Sequence, residues 1–365
     1  MIRKSMVALL LAVACMAGVA RAQQPKVKNI IFVVGDGMGV AQVYASVTQA
    51  GSGSAFLRFP VTGFSRTHCL DRYVTDSGAG GTALMSGHRV NYHAVGLSPD
   101  GREYPSFLTI ANQELGKSSG FVVTSSVLDA TPASTYAHVA DRASKDSISM
   151  QMARCPHQVM IGGDYGHFLP VRRRDGNSPL DTLAARGYQV TFSIDSMAQS
   201  QSDRLCLLYG KDEYPLAASQ RGGLLRKGVE KALQTLAKDP DGFVLMVEGS
   251  QIDWACHNND KNYMLEELAD FDSVLNVILD WAARDGNTLV VVTADHETGG
   301  LTLPGGDLRR GTVTARYTTL DHTGVMVPVF AYGPGSQHFS GIMENTDLFP
   351  IFMSLMRGLD YKGQR

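Results

Sequence analysis

The chain has 365 residues, of which 44% are hydrophobic, and its 33 basic and 35 acidic side chains give a net charge of −2 at pH 7. This hydrophobic share allows a large buried core. A nucleic-acid binder would show a basic excess or patch, so the charge balance argues against specific nucleic-acid binding. The length would permit two domains, but α/β folds of this size are often single.

Residues 1–22 have the pattern of a secretory signal peptide, with a basic pair, an apolar stretch and an A-x-A cleavage motif. The apolar stretch is short for a membrane span, and no later segment has the length or the lack of charge to cross a bilayer. We therefore expect a mature chain, residues 23–365, that is periplasmic or secreted, forms one domain and has a net charge of −5. A lipoprotein anchor on Cys15 is the weaker alternative.

Short apolar runs rich in β-branched residues recur along the chain. They predict buried strands of a parallel sheet, because they are nearly continuous rather than alternating. Helical spacing of apolar residues lies between them. The predicted strands cover residues 29–37, 120–125, 243–249, 287–296 and 327–333, and the predicted helices cover 106–116, 223–239 and 262–286. This alternation predicts an α/β fold with a doubly wound, mostly parallel central sheet and helices on both faces. Segments 170–220 and 301–321 have the least regular pattern.

Several predicted strands end in polar residues. Asp36 and Glu248 lie near the ends of the first and third strands, and the pair Asp295 and His296 ends the fourth. In open α/β sheets the ligand binds beyond the carboxyl ends of the strands. One such acid is unremarkable, because Asp often begins a turn. Three strand ends together predict a site at this edge of the sheet.

Two further groups of residues could complete a metal site. Asp253 and His257 are four residues apart, which places both on one helical face, although an ordinary surface pair has the same spacing. His322 precedes the last strand, where a lone histidine is more often structural. Histidine and aspartate suit Zn²⁺. Glu248 and the hydroxyl of Thr131 are hard oxygen ligands that suit Mg²⁺.

The stretch VTDSGAGGTALMSGH at 74–88 admits two interpretations of Ser77. Serine is a common helix N-cap, and from these residues alone that interpretation is favoured. Alternatively, Ser77 is a nucleophile at a helix N-terminus, where free N–H groups and the helix dipole favour an anion. Metal ions lower the pKa of a bound hydroxyl, so a serine beside them needs no histidine base.

A phosphoryl group would also need a cationic partner. Pro132 is a favourable first helical residue, so we expect a helix to begin there and Arg142 to lie just past its end. A guanidinium fork matches two phosphoryl oxygens. Considered alone, Arg142 could equally be a surface charge.

With these residues identified, the chain resembles the alkaline phosphatases. The matching stretches occur in the order of that family and span most of residues 23–365. They are VGDGMG at 34–39, TDSGAGGTAL at 75–84, DATPASTYAHVADR at 129–142, EGSQIDWACH at 248–257, TADHETGG at 293–300, DHTG at 321–324, AYGPG at 331–335 and NTDLF at 345–349.

The resemblance implies a function and a role for each residue. It implies hydrolysis of phosphate monoesters through a phosphoserine on Ser77, with Arg142 as the phosphate-binding residue. It also implies two Zn²⁺ and one Mg²⁺ per subunit, and a homodimer. The implied ligands are Asp253, His257 and His322 for the first zinc, Asp36, Asp295 and His296 for the second, and Asp36, Thr131 and Glu248 for magnesium.

One pair departs from the pattern of the family. The best-studied bacterial members pair an Asp with a Lys near the phosphate, whereas some marine, cold-adapted members have His and Trp. This chain combines Asp129 with Trp254. Trp254 carries no charge, so its contact with phosphate is expected to be weaker or water-mediated, and simple packing is the alternative.

Other functions on the same fold remain as alternatives. Phosphodiesterases of this superfamily typically use a Thr nucleophile, phosphoglycerate mutases are usually cytoplasmic, and sulfatases need a C/S-x-P-x-R stretch. The TDS motif, Arg142 and the signal peptide argue against the first two, and DSGAGG does not match the sulfatase stretch. A non-catalytic exported protein that binds metal or phosphate is the alternative from a different class.

The mature chain retains four cysteines, Cys69, Cys155, Cys206 and Cys256. An exported protein can oxidise them, although spacing alone does not fix the pairing. We expect a Cys155–Cys206 disulfide. The sequence contains no C-x-x-C motif, which argues against a cysteine-rich zinc module.

Overall fold

A computed structural model describes residues 27–173, 175–211, 217–359, 361 and 363. The predicted signal peptide, residues 1–22, and Cys15 lie outside these residues. Within the described part of the chain, no helix combines the length and the apolar character that a membrane crossing requires.

A central β-sheet forms the middle layer of the fold. The described strands are β1 (Asn29–Gly35), β2 (Val61–Arg66), β3 (Ser118–Ser126), β4 (Val159–Gly163), β5 (Gln189–Thr191), β6 (Leu205–Tyr209), β7 (Phe243–Gly249), β8 (Thr288–Thr293), β9 (Glu297–Thr298), β10 (Thr302–Asp307), β11 (Thr312–Arg316), β12 (His322–Thr323), β13 (Val327–Tyr332) and β14 (Gly341–Glu344). Ten of them form one sheet in the order β14-β2-β13-β8-β1-β7-β3-β4-β6-β5. Strand β13 is antiparallel to its neighbours β8 and β2, and the other described pairs of this sheet are parallel.

Helices connect and cover these strands. They are α1 (Val40–Ala50), α2 (Ser77–Ser86), α3 (Phe107–Leu115), α4 (Ala130–Ala133), α5 (Lys145–Arg154), α6 (Pro179–Ala185), α7 (Ile194–Gln199), α8 (Leu224–Leu236), α9 (Gln251–His257), α10 (Lys261–Asp285) and α11 (Leu348–Met356). Gly116 and Gly286 end α3 and α10 in the left-handed conformation, with φ of 67° and 73°. Glycine adopts this conformation without a Cβ penalty, and both helix ends were predicted.

Two hydrophobic cores lie on opposite faces of the sheet. Ile30, Phe32 and Val34 of β1 belong to one core, and the alternate residues Ile31 and Val33 belong to the other. Because both faces are buried, the strand has a continuous apolar sequence. The predicted doubly wound, mostly parallel α/β fold is confirmed.

The prediction of a helix beginning at Pro132 was wrong. Helix α4 is a single turn that begins two residues earlier, because the Asp129 carboxylate caps it by accepting the Ala130 N–H at 2.8 Å. The chain then leaves the helical path, and Val139 pairs with Val95 in an antiparallel bridge. Arg142 therefore does not follow a helix but lies shortly before α5.

The described residues of segments 170–220 and 301–321, which have the least regular sequence pattern, form short elements that include β5 and β6 of the main sheet and the β10–β11 hairpin. One further prediction is wrong. The expected Cys155–Cys206 disulfide is absent, since all four cysteines of the described chain are free and buried. Cys155 Sγ instead faces Met160 Sδ at 3.5 Å, and burial raises the pKa of Cys155 to about 12.

Candidate active site

The polar residues predicted at strand ends meet at one edge of the sheet. Asp36 follows β1, Glu248 lies near the end of β7, and Asp295 and His296 follow β8, and these three strands are neighbours. His296 Nε2 lies 3.2 Å from Asp295 Oδ2 and 3.6 Å from Asp36 Oδ1. All four side chains are buried. The parallel strand order brings them together, as the sequence predicted.

A second cluster adjoins the first. Asp253 and His257 lie on α9, with His257 Nε2 3.3 Å from Asp253 Oδ2. His322 of β12 brings its Nε2 to 3.1 Å from His257 Nε2 and to 3.6 Å from Asp253 Oδ1. The His322 ring also stacks on His296, with ring centroids 3.5 Å apart. Candidate ligand atoms of Asp253, His296 and His322, and likewise those of Asp36, Asp295 and His296, lie within 4.8 Å of one another.

Backbone carbonyls orient two of these imidazoles. His257 Nδ1 lies 2.6 Å from Leu320 O, and His322 Nδ1 lies 2.9 Å from Thr75 O. A carbonyl oxygen can only accept, so each Nδ1 carries a proton, and each Nε2 is the ring atom directed toward the cluster of candidate metal ligands. These carbonyl contacts were not predictable, because any residue type could supply them.

The interpretation of Ser77 as an N-cap is wrong. Asp76 caps α2, and its carboxylate accepts the N–H groups of Gly78 at 3.0 Å and Ala79 at 3.3 Å. Ser77 is the first residue of the helix, and its Oγ lies 3.2 Å from His296 Nε2. A Cβ on Gly80 would lie 3.2 Å from the Asp295 Cβ, so small residues after the serine let the helix pack closely against the metal-ligand cluster.

Two carboxylates hold Arg142 beside Ser77. Its Nη1 donates to Asp76 Oδ2 and its Nη2 to Asp129 Oδ1, both at 3.0 Å. Burial alone would lower the pKa of Arg142, but the charges of Asp129 and Asp76 raise it. The alternative that Arg142 is an ordinary surface charge therefore does not hold. The importance of Asp76 as a partner of Arg142 was missed.

His93 connects the same residues through its backbone. Its N–H donates to Asp76 Oδ1 at 3.0 Å, and its carbonyl accepts the Arg142 N–H at 2.9 Å. His93 has a φ of +71°, which is uncommon for a residue other than glycine. No sequence pattern signals this conformation, so His93 was also missed.

Several carboxylate oxygens of the cluster are buried and accept no hydrogen bond, namely Asp36 Oδ1, Glu248 Oε2 and Asp295 Oδ2. Thr131 Oγ1 donates to Asp36 Oδ2 at 3.4 Å. Burial, followed by the charges of Asp129 and Asp295, raises the pKa of Glu248 to about 8. Burial and then the charge of Asp253 raise the pKa of Asp295 to about 6. Such a set is costly without a cation, and its oxygen and nitrogen donors fit metal ions.

Trp254 lies on α9 directly after Asp253 and is half-buried. Asp129, the other member of the unusual pair, caps α4 and contacts Arg142. The expected contact of Trp254 with phosphate stays a prediction.

Most of the chain matches one known protein family. Residues 27–314 match the family model described as alkaline phosphatase. The chain belongs to the alkaline phosphatase family. It is accordingly a phosphomonoester hydrolase of a metal-dependent family, and the clusters described above supply suitable ligand atoms.

Similar proteins extend over nearly the whole chain. Alkaline phosphatase 4 of Bacillus subtilis is 28% identical over 93% of this chain and 91% of its own length. The streptomycin-6-phosphate phosphatase of Streptomyces griseus is 31% identical over 94% of both chains. Among solved structures, a His-to-Asp mutant of the alkaline phosphatase TAB5, with Mg bound in the M3 site, has 33% identity and a TM-score of 0.84, covering 92% of this chain and 99% of the other.

Proposed function

We propose that this alkaline phosphatase-family hydrolase acts through a phosphoserine on Ser77. The observation that carries the proposal is the geometry of Ser77, whose Oγ faces His296 at 3.2 Å at the N-terminus of α2. The helix dipole at this end favours a phosphoryl group. Ser77 Oγ forms a bond to phosphorus as the bond to the alcohol breaks, and water then cleaves the phosphoserine and releases phosphate.

Arg142 binds the phosphoryl group in this proposal. Its guanidinium has five N–H groups, and hydrogen bonds to Asp76 and Asp129 use only part of this capacity. The remaining N–H groups are available for phosphoryl oxygens, and the two carboxylates fix the plane of the fork. We propose a weaker, uncharged contact with phosphate for Trp254, and a supporting role for Asp129.

We further propose two zinc ions and one magnesium ion per subunit. The ligands are Asp253, His257 and His322 for the first zinc, Asp36, Asp295 and His296 for the second, and Asp36, Thr131 and Glu248 for magnesium. Buried carboxylate oxygens without hydrogen bonds support this assignment, as does the Mg bound in the TAB5 mutant. When bound, such ions lower the pKa of a coordinated hydroxyl and stabilise the attacking and leaving oxygens.

A homodimer is part of the proposal. A groove of about 650 Å³ is lined by apolar residues that include Val40 and Tyr44 of α1 and, across from them, Val325 and Met326. These four side chains are exposed. Exposed apolar patches commonly mark protein–protein interfaces, and a second copy of this chain is the proposed occupant. We also propose that residues 1–22 direct export to the periplasm or the medium and that residues 23–365 act as one catalytic domain.

Steady-state hydrolysis of p-nitrophenyl phosphate and of bis-p-nitrophenyl phosphate tests the proposed function. We expect the monoester to be strongly preferred and Ser77→Ala to abolish most of that activity. A preference for the diester would indicate a phosphodiesterase. Phosphate or metal binding without turnover of either compound would indicate a non-catalytic binding protein.

A further inference from the structure

Lys145, the first residue of α5, reaches back to the turn that carries Asp129. Its Nζ donates to the carbonyl oxygen of Leu128 at 3.0 Å. Arg142, three residues earlier, donates to the Asp129 carboxylate at 3.0 Å. Two cations from one short segment thus hold adjacent residues of the same turn, one through a side chain and the other through the backbone.

The carbonyl of Leu128 takes no part in the hydrogen bonds of helix α4. Leu128 precedes Asp129, the extended N-cap residue, and it is the carbonyl of Asp129 that accepts the first helical N–H, that of Ala133, at 2.9 Å. Leu128 is buried, and a buried carbonyl without a donor costs free energy. The Lys145 ammonium supplies a donor at this point.

Lys145 does not stabilise its own helix, α5, through its charge. A cation in the first turn of a helix is opposed by the helix dipole. Its side chain instead points toward the Leu128–Asp129 turn, where its Nζ contacts the Leu128 carbonyl.

We propose that Lys145 is a positioning residue for phosphate binding. By holding the Leu128–Asp129 turn, it fixes the Asp129 carboxylate that orients the guanidinium of Arg142. Lys145 is not a catalytic residue, since it acts on phosphate only through Asp129 and Arg142. The inference rests on the proposed role of Arg142 as the phosphate ligand.

Replacing the lysine with an uncharged side chain of similar length tests this inference. Lys145→Met should raise both the inhibition constant of inorganic phosphate and the KM for p-nitrophenyl phosphate about tenfold, the effect of weakening one hydrogen bond to a charged group. The value of kcat should change less than about twofold, because ground state and transition state lose similar binding. Lys145→Arg, which keeps charge and donor, should restore most of the affinity.

Lys238→Met is the matched control. Lys238 is an exposed lysine whose Nζ pairs with Asp203 at 2.7 Å, so its replacement removes the same charge without touching the Leu128–Asp129 turn. Its phosphate inhibition constant should equal that of the unmodified enzyme. If both lysine variants weaken phosphate binding equally, the effect is one of net charge, and the inference is overturned. Lys145→Ala carries the same expectation as Lys145→Met if the methionine variant does not fold.

A double-variant cycle tests whether Lys145 acts through Arg142. In an Arg142→Ala background, Lys145→Met should produce no further rise in the phosphate inhibition constant. An equal rise in both backgrounds would show an independent action and overturn the inference. If Arg142→Ala weakens phosphate binding but Lys145→Met does not, the inference fails while the proposed function stands. If Arg142→Ala itself has no effect, the proposed role of Arg142 fails, and the inference fails with it.

Discussion

Replacing Arg142 with lysine keeps the positive charge but removes the planar fork, and we expect a large loss of activity. The guanidinium donates to Asp76 and to Asp129 at 3.0 Å through different Nη atoms. A single ammonium group on a flexible stem cannot hold both carboxylates in this geometry and also present two parallel donors to phosphate.

The expected loss of activity in Arg142→Lys follows from the hydrogen bonds that the substitution removes. One hydrogen bond to a charged group contributes about 1.5–3 kcal/mol. Each 1.36 kcal/mol corresponds to a factor of ten in rate. The kcat/KM of Arg142→Lys for a phosphate monoester should therefore fall about 10- to 150-fold.

The assay compares p-nitrophenyl phosphate with bis-p-nitrophenyl phosphate at one pH and ionic strength. The loss should be smaller for the diester, because its phosphoryl group carries less charge. Arg226→Lys is a suitable control, since Arg226 is exposed on α8 and pairs with Glu230. Equal losses for both substrates in Arg142→Lys would refute the role of the fork in binding the phosphoryl oxygens.

Three further predictions concern the metal sites and the unusual pair. Chelation should abolish hydrolysis, and addition of Zn²⁺ with Mg²⁺ should restore it. His322→Ala should weaken zinc binding, measured by metal analysis. A chelated enzyme with full activity would contradict the two-metal proposal. Burial raises the pKa of Glu248 to about 8, so in the metal-free protein this group stabilises the fold at low pH and the contribution is lost as pH rises from about 5 to 8. Over this range the free energy of unfolding should therefore fall more steeply in the unmodified protein than in Glu248→Gln, and urea titrations with equal slopes for the two proteins would contradict this. Trp254→Lys should tighten inhibition by phosphate, because it would add a charge-assisted contact with the bound anion. An unchanged inhibition constant with intact metal content would mean that Trp254 only packs.

The strands that support the site were predictable because they are buried on both faces. Strand β7 was predicted with the bounds 243–249 that the structure shows, and β1 and β8 were predicted to within a few residues at their ends. The carboxyl ends of these strands carry Asp36, Glu248 and Asp295, so their convergence followed from parallel topology alone. Short strands such as β5 offered too few residues for a recognisable pattern.

Features that depend on local hydrogen bonds were less predictable. The sequence favoured Ser77 as a helix cap, whereas Asp76 fills that position and leaves the serine hydroxyl facing His296. Both residue types are good caps, so propensity could not separate them. The contact of Lys145 with Leu128 joins residues 17 positions apart through a turn whose shape the sequence did not reveal.

Covalent phosphorylation of Ser77 during turnover is tested most directly by acid-quenching the metal-loaded enzyme with radiolabelled phosphate monoester and mapping the labelled peptide. We expect label on the peptide that contains Ser77, and none in Ser77→Ala. An active preparation without protein-bound label, together with near-full activity of Ser77→Ala, would contradict the proposed phosphoserine mechanism.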